Sequence, residues 1–142
     1  MRILAIDHGD VRAGTAVCDP SETIVRPLAV VSPPEAQALA SVAREQDAEL
    51  IVVGVPVSLD GAERRQAAAA RAFAAELSKV AIAPVETYDE RLTTRMATES
   101  ARGGASAPRD ALAAAHLLES YLRSRASAGR SPTGPGAGEA PG

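Results

Sequence analysis

Acidic residues in this sequence fall where the predicted strands and helices end or begin. Asp7 closes an apolar strand, Asp89 and Glu90 close a later strand, and Asp110 lies in the first turn of the last predicted helix. Carboxylates gathered from separate elements are the oxygen ligands that Mg²⁺ and Mn²⁺ prefer. Two such ions would activate a water and stabilise the leaving oxygen in phosphodiester hydrolysis. The acids therefore raise the hypothesis of a metal-dependent nuclease site.

Each of these acids also has a purely structural interpretation. A carboxylate at a strand end is often a turn residue, and one in the first turn of a helix meets the positive end of the helix dipole. However, Asp110 shares a helical face with Ala114, Leu117 and Tyr121, and that face is predicted to cover the sheet. An acid on a buried face without a basic partner is costly unless a cation neutralises it. The residue pattern alone leaves both interpretations open.

The elements that must position these acids follow from the alternation of apolar runs with Gly, Pro and polar stretches. Strands are predicted over 2–7, 13–19, 24–31, 49–54 and 84–88, and helices over about 35–46, 60–80, 94–102 and 106–125. Three meandering strands followed by alternating helices and strands predict an α/β fold, a mixed five-stranded sheet with helices on both faces. Pro27 within the third strand indicates that this strand lies at an edge.

The same pattern predicts a single domain with a tail. Residues 1–125 carry the predicted elements, and the predicted buried stripe of the second helix consists of Ala70, Phe73, Ala74 and Leu77. Residues 126–142 are rich in Gly, Pro, Ser and Ala, so they are predicted to be disordered. The folded domain is therefore expected to span residues 1–125.

Composition limits the classes of function. Aromatic residues make up only 2% of the chain, which argues against stacking platforms for single-stranded bases as the main binding mode. A net charge of -3 argues against a wholly basic surface. Lys79 is the only lysine beside fourteen arginines, a bias compatible with phosphate recognition and equally with a GC-rich coding sequence.

Cellular location is predicted from three further features. The single cysteine, Cys18, excludes an intrachain disulfide. The N-terminus enters the first strand at once, so no signal peptide is expected. The longest apolar run, 50–57, is too short to span a bilayer. These features predict a cytoplasmic protein.

Four sequence blocks carry a resemblance to a known family. They are Ile6-Asp7-His8-Gly9 with Arg12 and Gly14; Val53-Gly54-Val55-Pro56; Asp89-Glu90-Arg91-Leu92-Thr93-Thr94; and Asp110 with Ala113-Ala114. In this order, across residues 3–123, they resemble the YqgF (RuvX-like) family of pre-16S rRNA nucleases and Holliday-junction-resolvase-like proteins. The third block is quite specific and the first alone is weak. The resemblance implies a ribonuclease-H-like fold and a metal-dependent nuclease site.

Residue by residue, the resemblance implies a ligand set for Mg²⁺, with Mn²⁺ as a substitute. Asp7, Glu90 and Asp110 match the acidic positions of the family, and Asp89 is the alternative to Glu90 as a catalytic acid. The choice between these two stays open because neighbours on a strand face opposite ways.

The resemblance also implies how the chain would meet its substrate. Arg12 and Arg91 match basic positions that hold phosphate, Arg95 is a further candidate, and Gly9 allows a phosphate to approach closely. The family usually has a basic residue near Asp10, so an acid there is expected to weaken the attraction of phosphate.

The implied function is 5′-end processing of pre-16S rRNA. The alternatives are the resolution of branched DNA such as a Holliday junction, or a non-catalytic nucleic-acid-binding module. The oligomeric state, monomer or homodimer, stays open, although resolving a symmetric junction would require two active sites and hence a dimer.

Overall fold

A computed structural model of the chain describes residues 1–56, 61–89 and 109–129. The strands are β1 (Ile3–His8), β2 (Ala13–Cys18), β3 (Val25–Val31), β4 (Leu50–Val55) and β5 (Val85–Asp89). The helices are α1 (Ala36–Glu45), α2 (Gly61–Val80) and α3 (Arg109–Gly129). The predicted helix over 94–102 lies outside the described residues.

The five strands form one mixed sheet in the order β3-β2-β1-β4-β5. The β1–β2 and β2–β3 pairs are antiparallel, because short loops join these strands, whereas β1–β4 and β4–β5 are parallel and joined through helices. β3 lies at an edge, which confirms the position predicted from Pro27, and β1 lies at the centre. The mixed five-stranded sheet predicted from the sequence is confirmed.

Side chains that alternate along β1 enter two different cores. Leu4 and Ile6 pack with α1 and α2 on one face of the sheet, and Ile3 and Ala5 pack with α3 on the other. Both faces are therefore covered, as predicted. The predicted stripe of α2 is also confirmed, since all four of its residues are buried: Ala70, Phe73, Ala74 and Leu77.

α3 extends further than the sequence pattern predicts. It ends at Gly129 instead of about Arg125, so four residues assigned to the tail are helical. Residues 126 and 128 are alanine, which has the highest helix propensity, and this favours the extension. The rest of the predicted tail, residues 130–142, lies outside the described residues. Over the described ranges the longest helices lack the sustained apolar character needed to cross a membrane.

Candidate active site

Asp7 lies at the end of the central strand, where alternation places it on the face of the sheet that α3 covers. It follows Ile3 and Ala5 on that face, and in the β1–β2 register it stands opposite Gly14. A carboxylate in this position emerges at the rim of the sheet, directly after a fully buried strand interior. The fold thus delivers Asp7 to the rim without exposing the strand that carries it.

Asp110 reaches the same rim because the first turn of α3 packs directly on β2. A Cβ atom added at Gly14 would lie 1.9 Å from the carbonyl oxygen of Asp110 and 2.9 Å from the amide nitrogen of Ala111. These distances leave no room for any side chain at position 14. The glycine therefore allows backbone to meet backbone, and this close approach brings Asp110 towards Asp7.

The two carboxylates share one open cleft of about 280 Å³. It is formed by the end of β1, the β1–β2 loop and the starts of two helices, with the lining residues Asp7, Gly9, Asp10, Val11, Arg12, Gln66 and Asp110. A larger hollow of about 360 Å³ lies between α1 and the end of α2, and it contains neither acid. The smaller cleft is therefore the candidate site, because it holds the convergent polar groups.

Burial and a neighbouring charge act together on Asp7. Desolvation is the larger cause and the negative charge of Asp110 the smaller one, and together they raise the pKa of Asp7 from 3.8 to about 6. The difference corresponds to about 3 kcal/mol of free energy. Near neutral pH the folded protein therefore holds a carboxylate whose ionised form is unfavourable where it stands.

Replacing Asp7 by Asn should stabilise the protein above about pH 6. A raised pKa means that the folded state binds the proton more tightly than the unfolded chain does, so wild type loses stability as pH rises from about 4 to about 6. Urea denaturation in EDTA should show little gain for Asp7→Asn near pH 4 and up to about 3 kcal/mol near pH 8. Asp10→Asn removes an exposed carboxylate from the same cleft and should give a much smaller gain. A gain for Asp7→Asn that does not change with pH would contradict this assignment.

Arg12 contacts Asp110, which corrects the expectation that this acid has no basic partner. Its Nη1 lies 3.4 Å from Oδ2 of Asp110, and the two side chains are 56% and 37% exposed. The pair forms because residue 12 lies two positions before Gly14, beneath the first turn of α3. The positive charge of Arg12 thus offsets part of the free-energy cost of partly burying the Asp110 carboxylate, although a pair this exposed contributes little to stability.

The β1–β2 loop holds the backbone at the mouth of the cleft. The N–H of Gly9 donates to the carbonyl of Arg12 at 2.9 Å, and Ser32 Oγ donates to the carbonyl of Val11 at 3.1 Å. A Cβ atom at Gly9 would lie 2.9 Å from the same Arg12 oxygen, so glycine has a structural reason to be here. Its predicted role in admitting a phosphate stays a prediction.

His8 lies on the opposite face of the sheet from Asp7. Its ring stacks on Phe73 of α2, with centroids 4.4 Å apart and an interplanar angle of 24°. Burial lowers the pKa of His8, and Asp10 partly opposes that effect. These contacts support a packing role for His8.

Asp89 faces away from the Asp7 side of the sheet. It pairs in register with Val55, which belongs to the core beneath α2. The preceding residue, Tyr88, points to the other face, where its hydroxyl lies 2.8 Å from Oγ of Ser120 on α3. Because neighbouring side chains on a strand alternate, Asp89 and Asp7 emerge on different faces.

The remaining predicted site residues, Glu90, Arg91 and Arg95, lie outside the described residues. Within the ranges 1–56, 61–89 and 109–129, no group of three or more acids, histidines and cysteines is arranged to hold a metal ion. Asp7 and Asp110 are the two carboxylates of the predicted set of three that the structure describes. Their chemistry fits a divalent cation, because both carboxylates line one open cleft and the ionised form of Asp7 is unfavourable without a positively charged partner.

The cleft also contains two residues that the sequence pattern does not single out. Gln66 lies about one and a half turns into α2, and Val11 is 63% exposed at the tip of the β1–β2 loop. Neither residue belongs to a sequence pattern that would predict a place in the site, because both come near Asp7 only through the way the β1–β2 loop and α2 meet at the rim of the sheet. Arg64 and Arg65 are exposed on α2 and do not line the cleft.

Comparison with known families confirms the resemblance seen in the sequence blocks. Residues 1–124 match the family model of RuvX, described as Holliday junction resolvase. A Rhodopirellula baltica protein named "Putative pre-16S rRNA nuclease" is 38% identical, over 85% of this chain and 76% of that protein. A protein of the same name from Anaeromyxobacter sp. (strain Fw109-5) is 41% identical, over 88% of this chain and 98% of that protein.

A solved structure with the same architecture supports the fold assignment. The T. thermophilus RuvC structure in complex with a Holliday junction substrate superimposes with a TM-score of 0.58 at 20% sequence identity. The match covers 89% of this chain and 96% of that one. At this identity the likeness concerns the fold, and it confirms the ribonuclease-H-like architecture predicted from the sequence.

Proposed function

Because the chain belongs to the RuvX family, we propose that it is a metal-dependent nuclease that hydrolyses phosphodiester bonds in the 5′-end processing of pre-16S rRNA. The observation that carries this proposal is the convergence of Asp7 and Asp110 on one open cleft, at the rim of a ribonuclease-H-like sheet. Relatives that cover most of the chain and are named as nucleases of this precursor favour RNA as the substrate.

Asp7, Asp110 and Glu90 would hold the cation, Mg²⁺ or Mn²⁺. Bound there, the cation would supply the positive charge that lowers the pKa of a water and neutralises the leaving oxygen. Asp7, whose ionised form is unfavourable in the protein alone, would gain a partner for its negative charge. Arg12 and, outside the described residues, Arg91 and Arg95 would hold the backbone phosphates that fix the position of the strand.

Glu90 is the better candidate for the third ligand. Asp89 emerges on the α2 face together with Val55, whereas Asp7 and Asp110 meet on the α3 face. We expect Glu90→Gln to lower the rate of cleavage by at least about 10²-fold, the scale at which single charge-stabilising groups act. Asp89→Asn is the matched control and should keep cleavage within a few-fold of wild type. The reverse order of the two effects would assign the ligand to Asp89.

The same variants can be tested on a panel that also identifies the substrate. The panel consists of a 5′-extended 16S rRNA precursor, a single-stranded RNA and a four-way DNA junction, each with Mg²⁺, Mn²⁺ or EDTA. We expect cleavage of the rRNA precursor in either metal and none in EDTA. Cleavage that persists in EDTA would overturn the metal dependence.

A junction-resolving nuclease is the second candidate, favoured by the description of the family model that matches residues 1–124. Preferential cutting of the four-way junction would support it and would require two active sites in register, hence a homodimer. Cutting of the precursor RNA needs one site and is compatible with a monomer. Binding to the panel without any cleavage would instead identify a non-catalytic nucleic-acid-binding module.

A further inference from the structure

The contact between Arg12 and Asp110 joins two residues whose proposed roles compete. Arg12 would hold a backbone phosphate, and Asp110 would hold a cation, yet the two side chains pair with each other at 3.4 Å. A guanidinium and a divalent cation on the same carboxylate repel each other, because both are positively charged, so binding of the cation weakens the hold on the guanidinium. The contact should therefore weaken when a cation binds.

We propose that Arg12 is a positioning residue that changes partners: it pairs with Asp110 in the protein without metal and is released to the nucleic-acid backbone when a cation takes that carboxylate. This proposal rests on the proposed nuclease function. It makes phosphate binding by Arg12 conditional on the metal, so the loaded site holds the strand more firmly than the empty one does.

The geometry of the pair makes such an exchange easy. The contact joins one guanidinium nitrogen to one carboxylate oxygen, and both side chains are accessible to water at 56% and 37% exposure. An exposed pair of this kind is held weakly and is readily replaced. The guanidinium fork that would grip a phosphate in two places is engaged here by a single oxygen.

Only the side chain has to move, because the backbone around it is fixed. The carbonyl of Arg12 accepts a hydrogen bond from the N–H of Gly9 at 2.9 Å, and the carbonyl of Val11 accepts one from Ser32 at 3.1 Å. Arg12 also lines the cleft together with Asp7. A released guanidinium therefore stays at the mouth of the cleft, where a strand would lie.

Charge supplies the driving force for the exchange. In the protein alone, Asp7 and Asp110 repel each other, and this repulsion contributes to the raised pKa of Asp7. The guanidinium of Arg12 offsets part of that negative charge. A divalent cation held by these carboxylates would neutralise more of that charge than the guanidinium does and would repel the guanidinium, which then favours another anion. A phosphate of the substrate is the anion at hand.

The first test measures metal affinity without nucleic acid. Electron paramagnetic resonance of Mn²⁺ should show binding about 2–5-fold tighter in Arg12→Gln than in wild type, since the competing cation is gone. Arg125→Gln is the matched control, because Arg125 forms a comparable surface pair with Glu22 at 3.3 Å, away from the cleft. Its Mn²⁺ affinity should equal that of wild type. Unchanged or weaker Mn²⁺ binding by Arg12→Gln would overturn the proposal.

The second test asks when Arg12 reaches the phosphate. Binding of the 5′-extended 16S precursor RNA is measured over a range of salt concentrations, in EDTA and in Ca²⁺, with gels confirming that the RNA stays intact. The slope of log affinity against log salt should fall by about 0.7–0.9 in Arg12→Gln when Ca²⁺ is present, which corresponds to one lost phosphate contact. In EDTA the slopes of variant and wild type should agree. Equal slope differences in both conditions would overturn the exchange.

These measurements separate this inference from the nuclease proposal. Both Arg12 effects without any cleavage of the panel would leave the exchange standing and remove the nuclease function. Metal-dependent cleavage without any effect of Arg12→Gln on Mn²⁺ affinity would support the nuclease function and overturn the exchange. A wild-type protein that binds no Mn²⁺ would overturn both.

Discussion

Asp7→Asn should abolish cleavage while the protein stays folded and continues to bind nucleic acid. The substitution removes the negative charge that would hold the cation, yet it keeps the shape of the side chain at the end of β1. We expect the rate constant for cleavage of the rRNA precursor to fall by at least about 10²-fold, the scale seen when one charge-stabilising group is lost. Single-turnover assays in Mg²⁺ and Mn²⁺ would measure this loss, with binding followed separately in EDTA.

Two features make this expected result informative. The same variant should be more stable than wild type near pH 8, so lost cleavage cannot be attributed to unfolding. Asp10→Asn is the control, because it removes an exposed carboxylate from the same cleft without touching a proposed ligand. Asp10→Asn should bind the RNA at least as tightly as wild type, since one repulsive charge is removed. Cleavage by Asp7→Asn within about threefold of wild type would refute the role of Asp7.

Gly14→Ala should destabilise the protein more than Gly9→Ala does. The new Cβ would lie 1.9 Å from the carbonyl oxygen of Asp110, within two packed elements that have no flexible side chain to give way. The first turn of α3 would have to lift from β2. We expect a loss of about 3 kcal/mol or more in the free energy of unfolding, measured by urea denaturation.

Gly9→Ala provides the comparison for this prediction. Its Cβ would meet the Arg12 carbonyl at 2.9 Å, a milder contact than the 1.9 Å contact at position 14, so we expect a loss of about 1 kcal/mol. Gly14→Ala should also displace Asp110, so its cleavage should be impaired even at a temperature where the variant is folded. A loss below about 1 kcal/mol for Gly14→Ala would show that α3 does not depend on this close approach.

Local patterns in the sequence were sufficient to predict the sheet and, within the candidate site, the positions of Asp7 and Asp110 on their elements. The apolar run before Asp7 predicted a strand that ends on an acid, and Pro27 predicted an edge, because strand periodicity and the missing proline N–H act within a few residues. The stripe that includes Phe73 predicted the buried face of α2 for the same reason. Asp110 was placed on the sheet-facing side of α3 from helical spacing alone.

Long-range contacts account for what the sequence could not predict. Arg12 and Asp110 are 98 residues apart, so no local pattern marks them as partners. Gly14 could be recognised as a glycine within a strand, but its purpose depends on where the first turn of α3 lies. The stacking of His8 on Phe73 and the position of Gln66 at the rim likewise follow from the packing of α2 against the sheet.

The docking of α3 on β2 has a consequence for the time at which activity can arise during synthesis. The N-terminal strands leave the ribosome first, and they already carry Asp7 and Gly14. Asp110 follows much later, and the entropy of closing so long a segment must be overcome before α3 packs on β2. The proposed ligand set would thus be incomplete in every nascent chain. A nuclease built this way would be inactive until α3 has docked on β2.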